Sequence, residues 1–359
     1  MNFNQTDDRR MISDSLRRYL ADQYPVEHRI KIAYDAPFHD PKKWGELAEL
    51  GILGALVSED QGGFGGEGFD ITVVFEEFGR TLCPEPMLGN LMGLRLYAAF
   101  GQSDKVDAII AGSARTALAV FEADAFTDTS EIATAASKSG ENWTLSGRKS
   151  LVYGGHAADT LLVAARTPAG KIGLFEIEAS AADIHSYAMI DGGGAAEVGL
   201  DNVSATCLSE DAGEAIEAAL DAGRLALCAE AVGAMDVLQA MTKDYLMQRQ
   251  QFGRPIATFQ ALQHRLVDLS IEIEQARSIT IHAAGALDTP GRALAVAKAK
   301  NLIGRAGKLV AEEAVQMHGG IGMTWEYAGS HYAKRLTMID AQLGDKEDQL
   351  RRVMELMAA

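Results

Sequence analysis

The sequence predicts an α+β protein, with helices at both ends and a small antiparallel β domain between them. Three observations predict it. In residues 1–113 apolar side chains recur at helical spacing. In residues 114–210 they fall into short runs bounded by Gly, Asp, Asn and Pro. In residues 211–359 they return to Ala-rich helical stretches, each longer than about 25 residues.

In the first block Phe78, Leu82, Leu88, Leu91, Leu94, Tyr97 and Phe100 follow one another in threes, fours and sixes. Trp44, Leu47, Leu50, Ile52 and Leu53 begin another apolar face after Pro41. The middle block carries the runs Ala117–Phe121, Trp143–Gly147 after the turn signal Ser139-Gly140-Glu141-Asn142, Leu161–Val163, Ile172–Ile177 and Val198–Leu200. The last block spans Glu214 to Gln248, Phe259 to Leu287 and Arg292 to His318. It is broken by Pro290-Gly291 and by Gly319-Gly320-Ile321-Gly322, which makes three long antiparallel helices of a bundle. No internal repeat or low-complexity segment is present.

Composition excludes several functions. Of 359 residues, 47% are hydrophobic and 23% charged, a globular balance. The net charge of −17 opposes binding to a phosphate backbone, so nucleic acid is not an expected partner. Three scattered cysteines, Cys83, Cys207 and Cys228, form neither a disulfide framework nor a zinc site, and fit a reducing, cytoplasmic setting. Cys228 reads as a small buried residue. The polar stretch Met1–Asp8 does not resemble a signal peptide, and no apolar window is long enough to predict a membrane span.

Two glycine motifs and the histidines narrow the chemistry. Gly63-Phe64-Gly65-Gly66-Glu67-Gly68 matches G-x-G-x-x-G. However, Glu59, Asp60 and Glu67 surround the place of a pyrophosphate and no βαβ alternation follows, so it reads as an ordinary Gly-rich loop. No P-loop occurs. The spacings of His318 with His331 and of His264 with His282 match no metal motif, so no metal is expected. Arg249 to Gln260 joins two helices and concentrates Arg249 and Arg254 in an acidic protein. An aromatic face (Phe252) and a helix start near Gln260 suit a pyrophosphate and an adenine, while Gly253-Arg254-Pro255 equally suits a capped corner. The residues alone leave both readings open.

At this segment the chain resembles the acyl-CoA dehydrogenase family, along nearly its whole length. The R-x-x-F-G-x-P-I-x-x-F-Q string from Arg249 to Gln260 is among that family's most specific signatures. Trp44–Gly51, Glu59–Gly65, Glu76–Arg80, Leu145–Lys149 and Gln316–Gly322 resemble further family motifs. The resemblance implies helices, a β domain and a four-helix bundle. It also implies noncovalent FAD, a tetramer, an electron-transfer flavoprotein or similar acceptor, and α,β-dehydrogenation of an acyl-CoA thioester. In that reaction a carboxylate takes the α-proton while a hydride leaves the β-carbon for the flavin. It further implies an ADP clamp of Arg249, Phe252, Gln260, Gln316, Gly319 and Gly320 for FAD shared across a subunit interface. Arg224 is expected to line the acyl-CoA cleft.

The departures from the family are specific. Its usual base position falls on Leu343, within Gln342-Leu343-Gly344-Asp345, and an alternative position falls on Gly223. Asp345 and Glu230 are the substitute carboxylates. On the flavin side the family's hydroxyls and indole give way to Phe121-Glu122-Ala123, Phe126-Thr127 and Leu151-Val152-Tyr153, leaving Thr127 and Tyr153 as hydroxyl candidates. The pattern resembles the divergent small subunits of hetero-oligomeric members, including the pimeloyl-CoA and steroid side-chain types. The expectation is an α2β2 assembly with a homologous partner, or a homotetramer, acting on a steroid side chain, a dicarboxylate or another unusual acyl chain. A non-catalytic subunit completing a partner's FAD site and a flavin monooxygenase on the same fold are the alternatives.

Overall fold

The computed structural model describes residues 6–358, so Met1–Gln5 of the polar N-terminal stretch lie outside the described residues. The helices are α1 (Asp7–Gln23), α2 (Val26–Tyr34), α3 (Pro41–Glu49), α4 (Gly68–Thr81), α5 (Met87–Ala99), α6 (Ser103–Ile110), α7 (Gly213–Gln248), α8 (Gln260–Ala286), α9 (Arg292–His318), α10 (Ala328–Ala341) and α11 (Lys346–Ala358). The strands are β1 (Thr116–Ala119), β2 (Ala135–Ser139), β3 (Asn142–Tyr153), β4 (Thr160–Arg166), β5 (Ile172–Glu178), β6 (Asp183–Ala188), β7 (Gly194–Ser209), β8 (Gln250–Gln251) and β9 (Arg254–Pro255). The three helical stretches expected after residue 211 match α7, α8 and α9 to within a residue or two, because Gly and Pro punctuate them.

The chain forms two compact units. Among the described residues, one holds 6–26, Gly68–Cys83 and 224–358; the other holds Glu27–Glu67 and Pro84–Gly223. In the helical unit α9 packs against α8, α10 and α11, and α4 against α1 and α8. Thr6 caps α1 by accepting the Arg9 N–H at 3.3 Å, and Asp7 and Asp8 complement the positive end of the helix. Glycines let α4 cross α7 in backbone contact. A Cβ on Gly79 would stand 1.9 Å from the Glu230 carbonyl oxygen, and one on Gly233 would stand 2.0 Å from that of Glu76. By length and composition α7 is apolar enough to cross a membrane, but 72% of its most apolar window is buried, as in a core helix.

In the second unit the sheet runs β1-β4-β2-β3-β7-β5. β4 also pairs with β5, which closes the path into a ring, and β6 pairs with β7. Most pairings are antiparallel; β1 enters parallel to β4. The inward faces bury Trp143 against Phe175, their ring centroids 5.1 Å apart, with Leu145, Leu161, Val163, Ile177 and Val198. β2 and β6 are mostly exposed and carry too little apolar periodicity to be read from sequence. The Gly63–Gly66 segment is a tight loop. Gly62 and Gly66 take left-handed φ of 89° and 86°, and a Cβ on Gly63 would stand 2.1 Å from the Val57 carbonyl.

Candidate functional site

The proposed clamp residues gather at one end of the helical unit. Arg249 follows α7, its N–H bonded to the Tyr245 carbonyl at 2.8 Å. β8 and β9 form a two-residue hairpin whose turn residues, Phe252 and Gly253, both have positive φ, 55° and 76°. Gly253 meets this need at no cost, whereas a phenylalanine there is strained by roughly 1–3 kcal/mol. The strained turn holds the Phe252 ring 90% exposed. Arg254 lies over the Phe259 ring at 4.4 Å, so it is part of the corner itself. Gln260 opens α8, and Gln316 sits in the last turn of α9. Arg249, Gln260 and Gln316 are exposed, and their side chains bond to none of the described residues. Gly319 reverses the chain at φ 68° and ψ −147°, and there is open space where a Cβ on Gly319 or Gly320 would stand.

Two contacts bring these segments together. The Tyr245 ring lies 4.7 Å from that of His318, and Arg265 of α8 pairs with Glu313 of α9 at 2.5 Å. The set fits the ADP half of FAD: a guanidinium and two amides open to oxygen acceptors, an aromatic face, and a glycine turn that admits close approach.

The base candidates gather elsewhere in the same unit, around Gln342–Asp345. Leu343 is buried with φ 57°. Its carbonyl accepts from Arg224 Nε at 2.9 Å and from Gln349 Nε2 at 3.3 Å. Lys300, fully buried, donates to the carbonyls of Asp340 (2.8 Å) and Gly344 (3.0 Å), and burial lowers its pKa to about 8. Glu230 receives both of its close contacts from Arg335, at 2.6 Å each, and Arg335 also donates to Gln342 Oε1 at 2.9 Å. Asp345 is the N-cap of α11: its Oδ1 accepts the Glu347 and Asp348 N–H groups at 2.9 Å each, and Asp348 returns the bond to the Asp345 N–H at 3.2 Å. Both carboxylates are therefore engaged in holding structure. Sequence reading missed Lys300, Arg335 and Gln349, because isolated long polar residues in helices carry no local signal of burial.

In the β unit Tyr153 ends β3, almost fully buried, and Thr127 sits half-buried in the loop between Glu122 and Ala133. That loop is fastened at both ends on Glu122, which accepts from Ala133 N–H (2.8 Å), Thr134 N–H (3.0 Å), Thr134 Oγ1 (2.6 Å) and Lys149 Nζ (2.7 Å). Burial alone would raise the Glu122 pKa. The bonds from Lys149 and Thr134 outweigh it and lower the value to about 2. Phe126 and Leu151 hold exposed side chains at φ 46° and 52°, and Leu151 lies where the β3–β7 register shifts.

Residues 6–115 match the family model described as acyl-CoA dehydrogenase, N-terminal domain, and residues 212–358 match acyl-CoA dehydrogenase, C-terminal domain. The acyl-CoA dehydrogenase IpdE2 of Mycobacterium tuberculosis is 30% identical over 355 residues, covering 97% of this chain and 96% of that one. The chain belongs to the acyl-CoA dehydrogenase family. Among solved structures, this dehydrogenase is similar to the steroid ACAD Tcur3481-Tcur3483 (TM-score 0.91, 30% identity, 98% of each chain). It is also similar to butyryl-CoA dehydrogenase from Megasphaera elsdenii (TM-score 0.90, 26% identity, all of each chain). It shares the fold of the ChsE4-ChsE5 complex from Mycobacterium tuberculosis at 24% identity and a TM-score of 0.91, over all of this chain and 99% of that one. The family's enzymes are oxidoreductases acting on the CH–CH bond of acyl-CoA, and FAD is the cofactor; when bound, it supplies the hydride acceptor.

Proposed function

We propose that this dehydrogenase is one subunit of a hetero-oligomeric, FAD-dependent acyl-CoA dehydrogenase that passes its electrons to an electron-transfer flavoprotein or a similar acceptor. Its clamp of Arg249, Phe252, Gln260, Gln316, Gly319 and Gly320 completes FAD held by a homologous partner, and the partner supplies the carboxylate base. The observation carrying this reading is a contrast within one unit. The clamp's polar side chains are open, whereas the turn at the base position presents buried Leu343 with its carbonyl engaged. A bulky acyl thioester, steroid-derived or comparably large, is the proposed substrate; the similar steroid ACAD supports it. Arg224, buried beneath the turn, sets the turn's position and through it the floor of the acyl-CoA cleft.

Flavin absorbance against protein concentration, for the chain purified alone and with a homologue encoded beside it, tests the proposal. The expected result is an α2β2 assembly with fewer flavins than chains. A stable homotetramer with one FAD per chain and acyl-CoA turnover would overturn it.

A second expectation concerns Asp345. As an N-cap, its replacement in Asp345→Ala costs about 1 kcal/mol of stability and leaves turnover of the assembled enzyme unchanged. As a general base, its loss would reduce turnover by roughly 10²–10⁴. Urea unfolding and steady-state rates on the same preparation separate the two.

A further inference from the structure

We propose that His318 is the positioning residue of the cofactor clamp, registering its two halves through one neutral imidazole. This rests on the reading that Arg249–Gln260 and Gln316–Gly320 grip the ADP half of FAD.

His318 ends α9 and is 4% exposed. Its Nδ1 lies 2.7 Å from the Ala314 carbonyl oxygen. A carbonyl only accepts, so Nδ1 carries the proton. In a neutral ring Nε2 is then an acceptor, and it takes the hydroxyl hydrogen of Tyr327 at 2.7 Å. The ring is flanked by Tyr245 at 4.7 Å and Tyr327 at 4.9 Å between centroids. Burial lowers its basicity and favours the neutral ring, against the opposing pull of the Ala314 and Met241 carbonyls.

These contacts reach three segments. Tyr245 lies in the last turn of α7, and its carbonyl receives the Arg249 N–H. Ala314 and His318 belong to the last turn of α9, beside Gln316. Tyr327 closes the loop that begins at Gly319 and precedes α10. Arg249 and Gly319 are far apart in sequence, and the imidazole sets one against the other. It touches neither the guanidinium nor the glycines, so it acts by placing them. A ring that merely filled space would need no nitrogen. Phenylalanine would then serve as well, and the Tyr327 hydroxyl would be dispensable.

The experiment titrates the assembled apoprotein with FAD and with FMN, which lacks the adenylate (AMP) part that the clamp would grip, following quenching of flavin fluorescence. It compares wild type, His318→Phe, Tyr327→Phe, the double variant and Arg249→Ala. His318→Phe and Tyr327→Phe are each expected to weaken FAD by about tenfold or more while FMN affinity holds, the loss of about one charge-free buried hydrogen bond. The double variant should be no weaker than the worse single variant, because both remove the same bond. A purely structural lesion would weaken FAD and FMN alike, and that result overturns the proposal. If His318→Phe does not fold, Tyr327→Phe, which removes only a hydroxyl, decides the outcome. Wild-type FAD affinity in both Phe variants with weakened Arg249→Ala refutes the positioning role alone. Wild-type affinity in Arg249→Ala as well refutes the clamp reading itself.

Discussion

Arg249→Ala is expected to weaken FAD binding by roughly 2–4 kcal/mol, about 30- to 1,000-fold in Kd, and to yield flavin-depleted protein after dialysis. The size follows from what the side chain is for. The Arg249 guanidinium is exposed and bonds to no described residue, so removing it costs the fold little. Its backbone N–H, bonded to the Tyr245 carbonyl, is untouched by the substitution. The whole loss therefore falls on the ligand, as a missing charge-assisted bond to a pyrophosphate. Arg249→Lys keeps the charge but not the planar fork and should recover only part of the affinity. Equilibrium dialysis with absorbance at the flavin band measures it. Full flavin retention in the Ala variant, with the wild-type melting temperature, would remove Arg249 from the clamp.

Lys149→Met is expected to destabilise the protein by roughly 3–5 kcal/mol, because it leaves the Glu122 carboxylate in the β unit without its counter-ion. Lys149 is fully buried, its Nζ 2.7 Å from Glu122 and 3.0 Å from the Val120 carbonyl. Methionine keeps most of the side-chain volume, so the loss reports charge, not a cavity. Adding Glu122→Leu removes the stranded carboxylate and should recover part of the stability, a coupling that a double-mutant cycle reads directly. The pair also predicts a pH dependence. The folded-state pKa of Glu122 lies near 2, below its ordinary value of 4.5. Its stabilising contribution is therefore complete above about pH 4.5 and is lost as pH falls towards 2. In Lys149→Met the wild-type acid limb should flatten in urea-melt midpoints. An unchanged limb would place the effect on another group.

The long helices were legible in the sequence because their signals are local. A helix repeats its apolar face within a few residues, and Pro290, Gly291 and Gly319 end it by what their own backbones allow. The central strands were legible for the same reason, whereas exposed β2 and β6 bury too little to show a pattern. The proposed clamp residues were legible as a chemical string, but not as an arrangement. Nothing local says that Phe252 stands on a strained turn with its ring outward, or that the ends of α7 and α9 are set together by the Tyr245 and His318 rings. The proposed vacancy at Leu343 rests on comparison with the family pattern. That Glu230 belongs to Arg335, and Asp345 to the start of α11, was decided only by the fold. A carboxylate's identity is written in the chain. Its partner is whichever cation or N–H group the packing of distant helices brings within about 3 Å, and that distance exists only in three dimensions.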